Sequence, residues 1–132
     1  MKNFLFLTIA FFAIQTISAQ DSTNEIDNNV YNAASIEVKP DFPGGMQEFY
    51  KFIGANYKTP DVVGLSGKVY TTFVIEKDGS IADIKILRDI GHGTGEEAIR
   101  VLSLCPKWKP GEQYGMPVRV QYALPIALQS SK

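Results

Sequence analysis

Few residues of this sequence have the types and spacing that chemistry needs. The 132 residues contain one Cys and one His, so Cys105 and His92 form the only pairing of a thiol with an imidazole base. Cys105 falls at a helical spacing that buries it, and a buried thiol is a poor nucleophile. A single Cys cannot form an internal disulfide, and a single His cannot build a site of several histidines. We therefore expect no catalytic residues, no metal site and no cofactor, with Cys105 in the core and His92 in an exposed loop.

A glycine-rich stretch, Gly91 to Gly95, precedes a predicted helix whose first amides could bind an anion. The stretch is not a GxGxxG motif, and it lacks the Lys-Ser/Thr pair of a phosphate-binding loop. We interpret it as a connection between a strand and a helix. Glu96 and Glu97 are explained by the positive start of that helix rather than by acid and base roles. The sequence thus predicts no small-molecule substrate.

Lys107, Trp108 and Lys109 could suggest a site for nucleic acid. The 13 Lys and Arg residues are balanced by 14 Asp and Glu, and the net charge of −1 excludes an electrostatic nucleic-acid binder. We expect the Trp108 ring to pack on a sheet while the two ammonium groups stay in water. The length excludes a large multidomain enzyme, and we predict one small domain that acts through its shape.

The N-terminus has the pattern of a secretory signal. Lys2 is followed by an apolar run of eleven residues, Phe4 to Ile14, and then by small residues at Ser18 and Ala19. As a helix this run is only about 17 Å long and is too short to span a membrane, so an uncleaved anchor is the less favoured alternative. We predict a signal peptide at 1–19, a flexible leader at 20–35 that is rich in Asn, Asp and Ser, and a domain at 36–128.

Hydrophobic periodicity predicts the elements of this domain. Apolar residues recur at helical spacing from Met46, and Pro60 should end that helix. Two β-rich runs, 68–76 and 80–88, flank Asp78-Gly79, which favours a two-residue primed turn. That turn would place Thr71 opposite Ile86, Phe73 opposite Ile84 and Ile75 opposite Ala82.

A second helix and a third strand follow. Thr94 and Glu97 have the spacing of a capping box, and Pro106 should stop the helix that they begin. The strand at 118–128 alternates apolar and polar residues. Because proline has no amide hydrogen, Pro125 either places this strand at a sheet edge or bends it there. We predict an α+β fold with a three-stranded antiparallel sheet and two helices packed on one face.

Four segments carry a resemblance to a known family: PGG at 43–45, GKVYTTFVIEKDGSIADIKILR at 67–88, EEAIRV at 96–101 and PKWKPGEQYGMPVRVQYALPI at 106–126. Together they resemble the C-terminal domain of TonB-family energy transducers, of the Bacteroidota type. The motif positions that we expect to have structural roles are Pro43, Gly44, Gly45, Pro60, Gly67, Asp78, Gly79, Pro106, Trp108, Pro110 and Gly111.

The resemblance implies a non-catalytic periplasmic module that binds an extended segment, the TonB box, of an outer-membrane TonB-dependent transporter. Binding would add a strand to the sheet edge. The implied partner-binding residues are those of the last strand: Val118, Arg119, Val120, Gln121, Tyr122, Ala123 and Leu124. Arg119 and Gln121 would point to the solvated face.

Two departures from the family pattern keep alternatives open. Thr59, rather than a tyrosine, precedes Pro60, and the sequence has no recognisable membrane helix or long Pro-rich spacer. One alternative is that the protein is a stand-alone secreted adaptor and that its partner is another envelope protein. A further alternative is a structural domain that forms a homodimer through the same edge, without transducing energy.

Overall fold

The computed structural model describes residues 27–132, which form two helices and five strands. In chain order these are β1 (Val30–Asn32), α1 (Met46–Asn56), β2 (Ser66–Ile75), β3 (Ile81–Arg88), α2 (Thr94–Ser103), β4 (Gly111–Gln113) and β5 (Met116–Gln129). The predicted signal peptide lies outside the described residues. Within residues 27–132, no helix is both long enough and apolar enough to cross a membrane.

The sheet is mixed and has the strand order β1-β5-β2-β3. β2 runs antiparallel to β3 on one side and to β5 on the other, whereas β1 runs parallel to β5. β4 pairs with the first residues of β5 in a separate hairpin. The α+β class and the two helices are confirmed, but the prediction of three antiparallel strands was wrong. β1 and β4 have three residues each, which is too short for a detectable alternation.

Both helices pack on one face of the sheet and enclose the core. Phe49 and Ile53 of α1 and Leu102 of α2 are buried against Phe73 of β2. Helix α1 begins at Met46, as predicted, but it ends at Asn56, four residues before Pro60. The following residue, Tyr57, is extended and donates a hydrogen bond from its hydroxyl to the Thr94 carbonyl at 2.7 Å. This bond ties the end of α1 to the start of α2.

An aromatic cluster around Trp108 fills the centre of the core. Trp108 is 2% exposed, and its ring centroid lies 4.8 Å from that of Phe49, 5.9 Å from that of Phe73 and 5.7 Å from that of Tyr122. The neighbouring Lys107 and Lys109 are exposed. The predicted packing of Trp108 on the sheet is therefore confirmed.

The turn between β2 and β3 differs from the predicted two-residue turn. Glu76 N–H donates to the Ser80 carbonyl and Gly79 N–H donates to the Glu76 carbonyl, both at 2.8 Å, so the loop has three residues. Gly79, with φ 86°, supplies the left-handed residue that such a loop needs. Thr71 pairs with Ile86 as predicted, but Ile75 pairs with Ile81 because a bulge shifts the register by one residue.

The start of α2 also differs from the prediction. The N-cap is Gly93, in the left-handed region at φ 76°, and no side chain caps the helix. The Thr94 hydroxyl instead donates to the Gly91 carbonyl at 2.7 Å. Glu97 accepts hydrogen bonds from Lys58 N–H at 3.0 Å and from Arg100 Nε at 2.9 Å. The capping box was wrong because Thr94 is the first helical residue and not the cap.

A substitution at Gly79 tests how the contact between the β2–β3 hairpin and Trp108 contributes to stability. A Cβ at position 79 would lie 1.9 Å from the Trp108 carbonyl oxygen, and Trp108 N–H donates to the Gly79 carbonyl at 2.8 Å. We expect Gly79→Ala to lower the free energy of unfolding by about 3 kcal/mol or more, from backbone strain plus this clash. Urea denaturation measures the loss.

The matched control is Gly91→Ala. Gly91 has a similar φ of 74°, but a Cβ there meets nothing within 4 Å. We expect this variant to lose about 1 kcal/mol from the left-handed backbone alone. Equal losses in the two variants would show that the contact with Trp108 is unimportant.

Candidate functional site: the outer edge of β5

The outer edge of β5, defined as its side away from β2, presents the main-chain groups of odd-numbered residues. Ala33 N–H donates to the Gln121 carbonyl on this side at 3.1 Å, while β2 pairs with the other side from Val120 to Gln129. The N–H and C=O groups of successive residues in a strand point to opposite sides. The outer edge therefore carries the groups of Arg119, Gln121 and Ala123, followed by those of Pro125 and Ala127.

Only part of the predicted binding set uses this edge. Four of the seven residues direct their main-chain groups to the β2 and β4 side and their side chains to the core: Val118, Val120, Tyr122 and Leu124. Tyr122 is half-buried and the other three are buried. The outer edge is left with Arg119, Gln121 and Ala123.

β1 already covers two of those three residues. Val30 is aligned with Arg119 and Asn32 with Gln121 in a parallel pairing. The sequence placed residues 20–35 in a flexible leader, but the structure places Val30–Asn32 in a strand. A strand of three residues in a stretch rich in Asn offers almost no periodic signal, so sequence reasoning missed it.

A small second core holds β1 in place. Half-buried Tyr31 and Ala33 pack against Ile36, Val118 and Val120, which are buried. The Tyr31 hydroxyl also donates a hydrogen bond to Asp27 Oδ2 at 2.6 Å. β1 is thus held by the Tyr31 side chain, by Ala33 immediately after the strand, and by one short strand ladder.

Arg119 connects β1 to the sheet through its side chain. Its Nε and Nη2 donate to the two carboxylate oxygens of Glu76 at 2.8 and 3.0 Å, and its Nη1 donates to the Asn28 carbonyl at 3.3 Å. Asp83 Oδ2 lies 3.6 Å from Nη2. The hydrogen bond with Glu76 raises the pKa of Arg119, so the guanidinium stays charged. Arg119 therefore holds the main chain that precedes β1.

Beyond Gln121, no other strand of residues 27–132 pairs with the outer edge. Ala123 offers both an N–H and a C=O there, whereas Pro125 offers only a carbonyl. The prediction that Pro125 places this strand at a sheet edge was wrong for the strand as a whole, because β5 lies between β1 and β2. At Pro125 itself, no strand of the described residues pairs with the outer side. A cavity of about 280 Å³ lies beside this stretch, lined by Tyr50, Ile53, Gly54 and residues 124–127.

The residues considered for catalysis are not brought together. His92 lies in the exposed loop before α2, and Cys105 follows its far end, so the length of a ten-residue helix, about 15 Å, separates the two positions. Cys105 is half-buried and packs against the main core. Burial raises the pKa of its thiol to about 11. No group of three or more metal-ligating side chains occurs in the described part of the chain.

Comparison with known proteins finds one family. Residues 62–128 match a family model described as Gram-negative bacterial TonB protein C-terminal. Several solved structures are similar. A Helicobacter pylori TonB C-terminal domain (residues 194–285) is 25% identical and covers 66% of this chain and 95% of its own, with a TM-score of 0.47. A longer form (residues 179–285) has 22% identity, 66% and 81% coverage and a TM-score of 0.45. The Pseudomonas aeruginosa TonB domain has 23% identity, 56% and 82% coverage and a TM-score of 0.42. No curated protein matches the sequence.

The raised pKa of Cys105 predicts an inert thiol. Compared with an ordinary value of 9.0, a pKa of about 11 lowers the thiolate fraction at pH 8 by about 100-fold. We expect iodoacetamide to alkylate Cys105 about 100 times more slowly in the folded protein than in urea. Mass spectrometry of timed samples measures both rates. Rapid alkylation of the folded protein would contradict this prediction and would show that Cys105 is reactive.

Proposed function

The chain belongs to the TonB C-terminal family of Gram-negative bacteria, and from this premise we propose that it is a non-catalytic module that binds an extended segment of another protein. The proposed ligand is the TonB box of an outer-membrane TonB-dependent transporter, met in the periplasm. Binding adds a strand to the outer edge of β5. One observation carries the proposal: this edge already accepts a parallel strand, because β1 pairs with Arg119–Gln121.

The stretch beyond β1 has features that suit an added strand. Main-chain pairing to Ala123 supplies hydrogen bonds that do not depend on the ligand's sequence. Side chains on one face of the ligand enter the cavity beside Tyr50 and Ile53, and those on the other face cross Ala123 and Pro125. These two side chains are exposed and uncharged, so an apolar segment can pack against them without removing a charged group from water.

The same edge supports the alternative of a homodimer, since a second copy of β5 could pair with it. Exposed main-chain groups at a strand edge do not discriminate between partners. If the protein binds a ligand, the outer edge is unpaired in the isolated protein; if it forms a homodimer, a second copy covers that edge. Measurements of the oligomeric state and of hydrogen exchange at the Ala123 amide distinguish the two proposals.

Two proline substitutions test the binding edge. Ala123→Pro removes the amide hydrogen that faces the ligand but leaves the ladder to β2, as the native Pro125 does. We expect it to weaken binding of synthetic TonB-box peptides, taken from transporters of the same organism, at least 10-fold, since it removes a main-chain pair. NMR titration of labelled protein measures the affinity.

Ala127→Pro is the matched control. It makes the same change at an outer-edge position that Pro125 separates from the rest of the edge. We expect its affinity to stay within about twofold of the parent, because it removes no required hydrogen bond. No chemical-shift change in the parent at millimolar peptide would overturn the proposed function. A stable dimer by light scattering, with the Ala123 amide protected from exchange, would favour the homodimer.

A further inference from the structure

We propose that β1 is a displaceable strand, an internal occupant that must leave the outer edge before an external segment can bind at full length. The inference rests on the proposed function and adds its regulation. Its basis is the parallel alignment of Val30–Asn32 with Arg119–Gln121, in the middle of the predicted binding residues.

The hydrogen-bonding groups of the outer edge show why an external segment needs the positions that β1 covers. Pro125 lacks an amide hydrogen, so the longest run of complete donor and acceptor pairs comprises Arg119, Gln121 and Ala123. β1 takes the first two. A ligand confined to Ala123 and the residues after it would have a single complete pair before the interruption at Pro125, whereas one that displaces β1 would have three.

The contacts of β1 are few and replaceable. β2 is joined to β5 by ten aligned residue pairs, but β1 is joined by three. Arg119 binds the segment through the Asn28 carbonyl, a group that any polypeptide can supply. Because Glu76 holds the guanidinium independently of β1, the same donor is in place for an incoming strand. Short, partly exposed ladders are the parts of a fold that open at low free energy.

β1 also indicates what the displacing segment resembles. It runs parallel to β5, with half-buried Tyr31 and Ala33 facing the buried Ile36, Val118 and Val120. A competitor therefore runs in the same direction and places an aromatic or aliphatic side chain at the position of Tyr31 and a small one two residues later. Val30 and Asn32 are exposed, so the intervening positions accept polar residues.

Native-state hydrogen exchange tests displacement without any ligand. The alternation along β5 directs the Gln121 amide to β1 and the Tyr122 amide to β2, where Tyr122 is aligned with Phe73. We expect the Gln121 amide to exchange at least 100 times faster than the Tyr122 amide, through an opening that low urea concentrations do not accelerate. Equal protection of the two amides would mean that β1 leaves only when the whole domain unfolds, and would overturn the inference.

A disulfide lock tests whether displacement limits binding. Asn32 and Gln121 are aligned and exposed, and neighbouring strands lie about 4.8 Å apart, within the range that a disulfide bridges. In Asn32→Cys/Gln121→Cys, with Cys105→Ala to leave one thiol pair, we expect oxidation to weaken TonB-box peptide binding at least 10-fold. Dithiothreitol should restore it, which makes the reduced variant its own control.

The outcomes separate the two proposals. Equal affinity in the oxidised and reduced states would overturn the role of β1 and leave the proposed function intact. Absence of binding in both states, and in the parent, would overturn the proposed function, while the exchange rate of Gln121 would still decide whether β1 opens.

Discussion

Ten consecutive residue pairs join β2 to β5 without a bulge, and this register sets the direction of every group along β5. Even-numbered side chains such as Val120 and Leu124 point into the core, and their main-chain groups face β2. Odd-numbered residues present their main chain to the outer edge instead. A slip of one residue would reverse both assignments, burying Gln121 and exposing Val120. A buried hydrogen bond from the Thr71 hydroxyl to the Leu124 carbonyl, at 2.9 Å, opposes such a slip.

Arg119 continues the alignment of β2 with β5 beyond the last main-chain pair, through its side chain. The last aligned pair is Ile75 with Val120, and the next residues, Glu76 and Arg119, meet through their side chains. The pair is bidentate, which fixes the plane of the guanidinium, although its partial exposure to solvent keeps its contribution to stability small. Its main effect is on position. The third nitrogen of the fixed guanidinium donates to the Asn28 carbonyl, in the main chain that leads into β1.

The sequence predicted the elements that repeat a pattern over many residues, and it missed those that do not. The apolar alternation from Val118 to Leu128 identified β5, and helical spacing from Met46 identified α1. β1 and β4 have three residues each, and their pairing depends on partners far away in the chain. The capping box and the two-residue turn failed for a different reason. Both depend on which residue adopts a left-handed backbone, and Gly93 and Gly79 took those positions.

The candidate site could be located only coarsely from sequence. A resemblance pointed to the last strand, and Pro125 indicated an unpaired edge, but periodicity shows the faces of a strand and not which edge is occupied. That knowledge requires the position of β2. Once β2 and β4 are placed, Val118 and Leu124 leave the set of groups that can pair with a ligand. Ala123 is then the member of that set that β1 does not cover.

An exposed strand edge can pair with any extended chain, including another copy of the same protein. Proteins limit such pairing by covering the edge with another segment, or by placing prolines or charged side chains on it. Here β1 covers Arg119 and Gln121, and Pro125 interrupts the pairing beyond Ala123. Both β1 and Pro125 reduce the number of β5 hydrogen-bonding groups that a non-specific partner can reach. They differ in one respect that bears on function: the missing amide hydrogen of Pro125 cannot be restored, whereas a strand of three residues can be exchanged for another. The part of the edge that can become available is therefore the part that β1 covers, and a partner gains it only by offering the contacts that β1 makes.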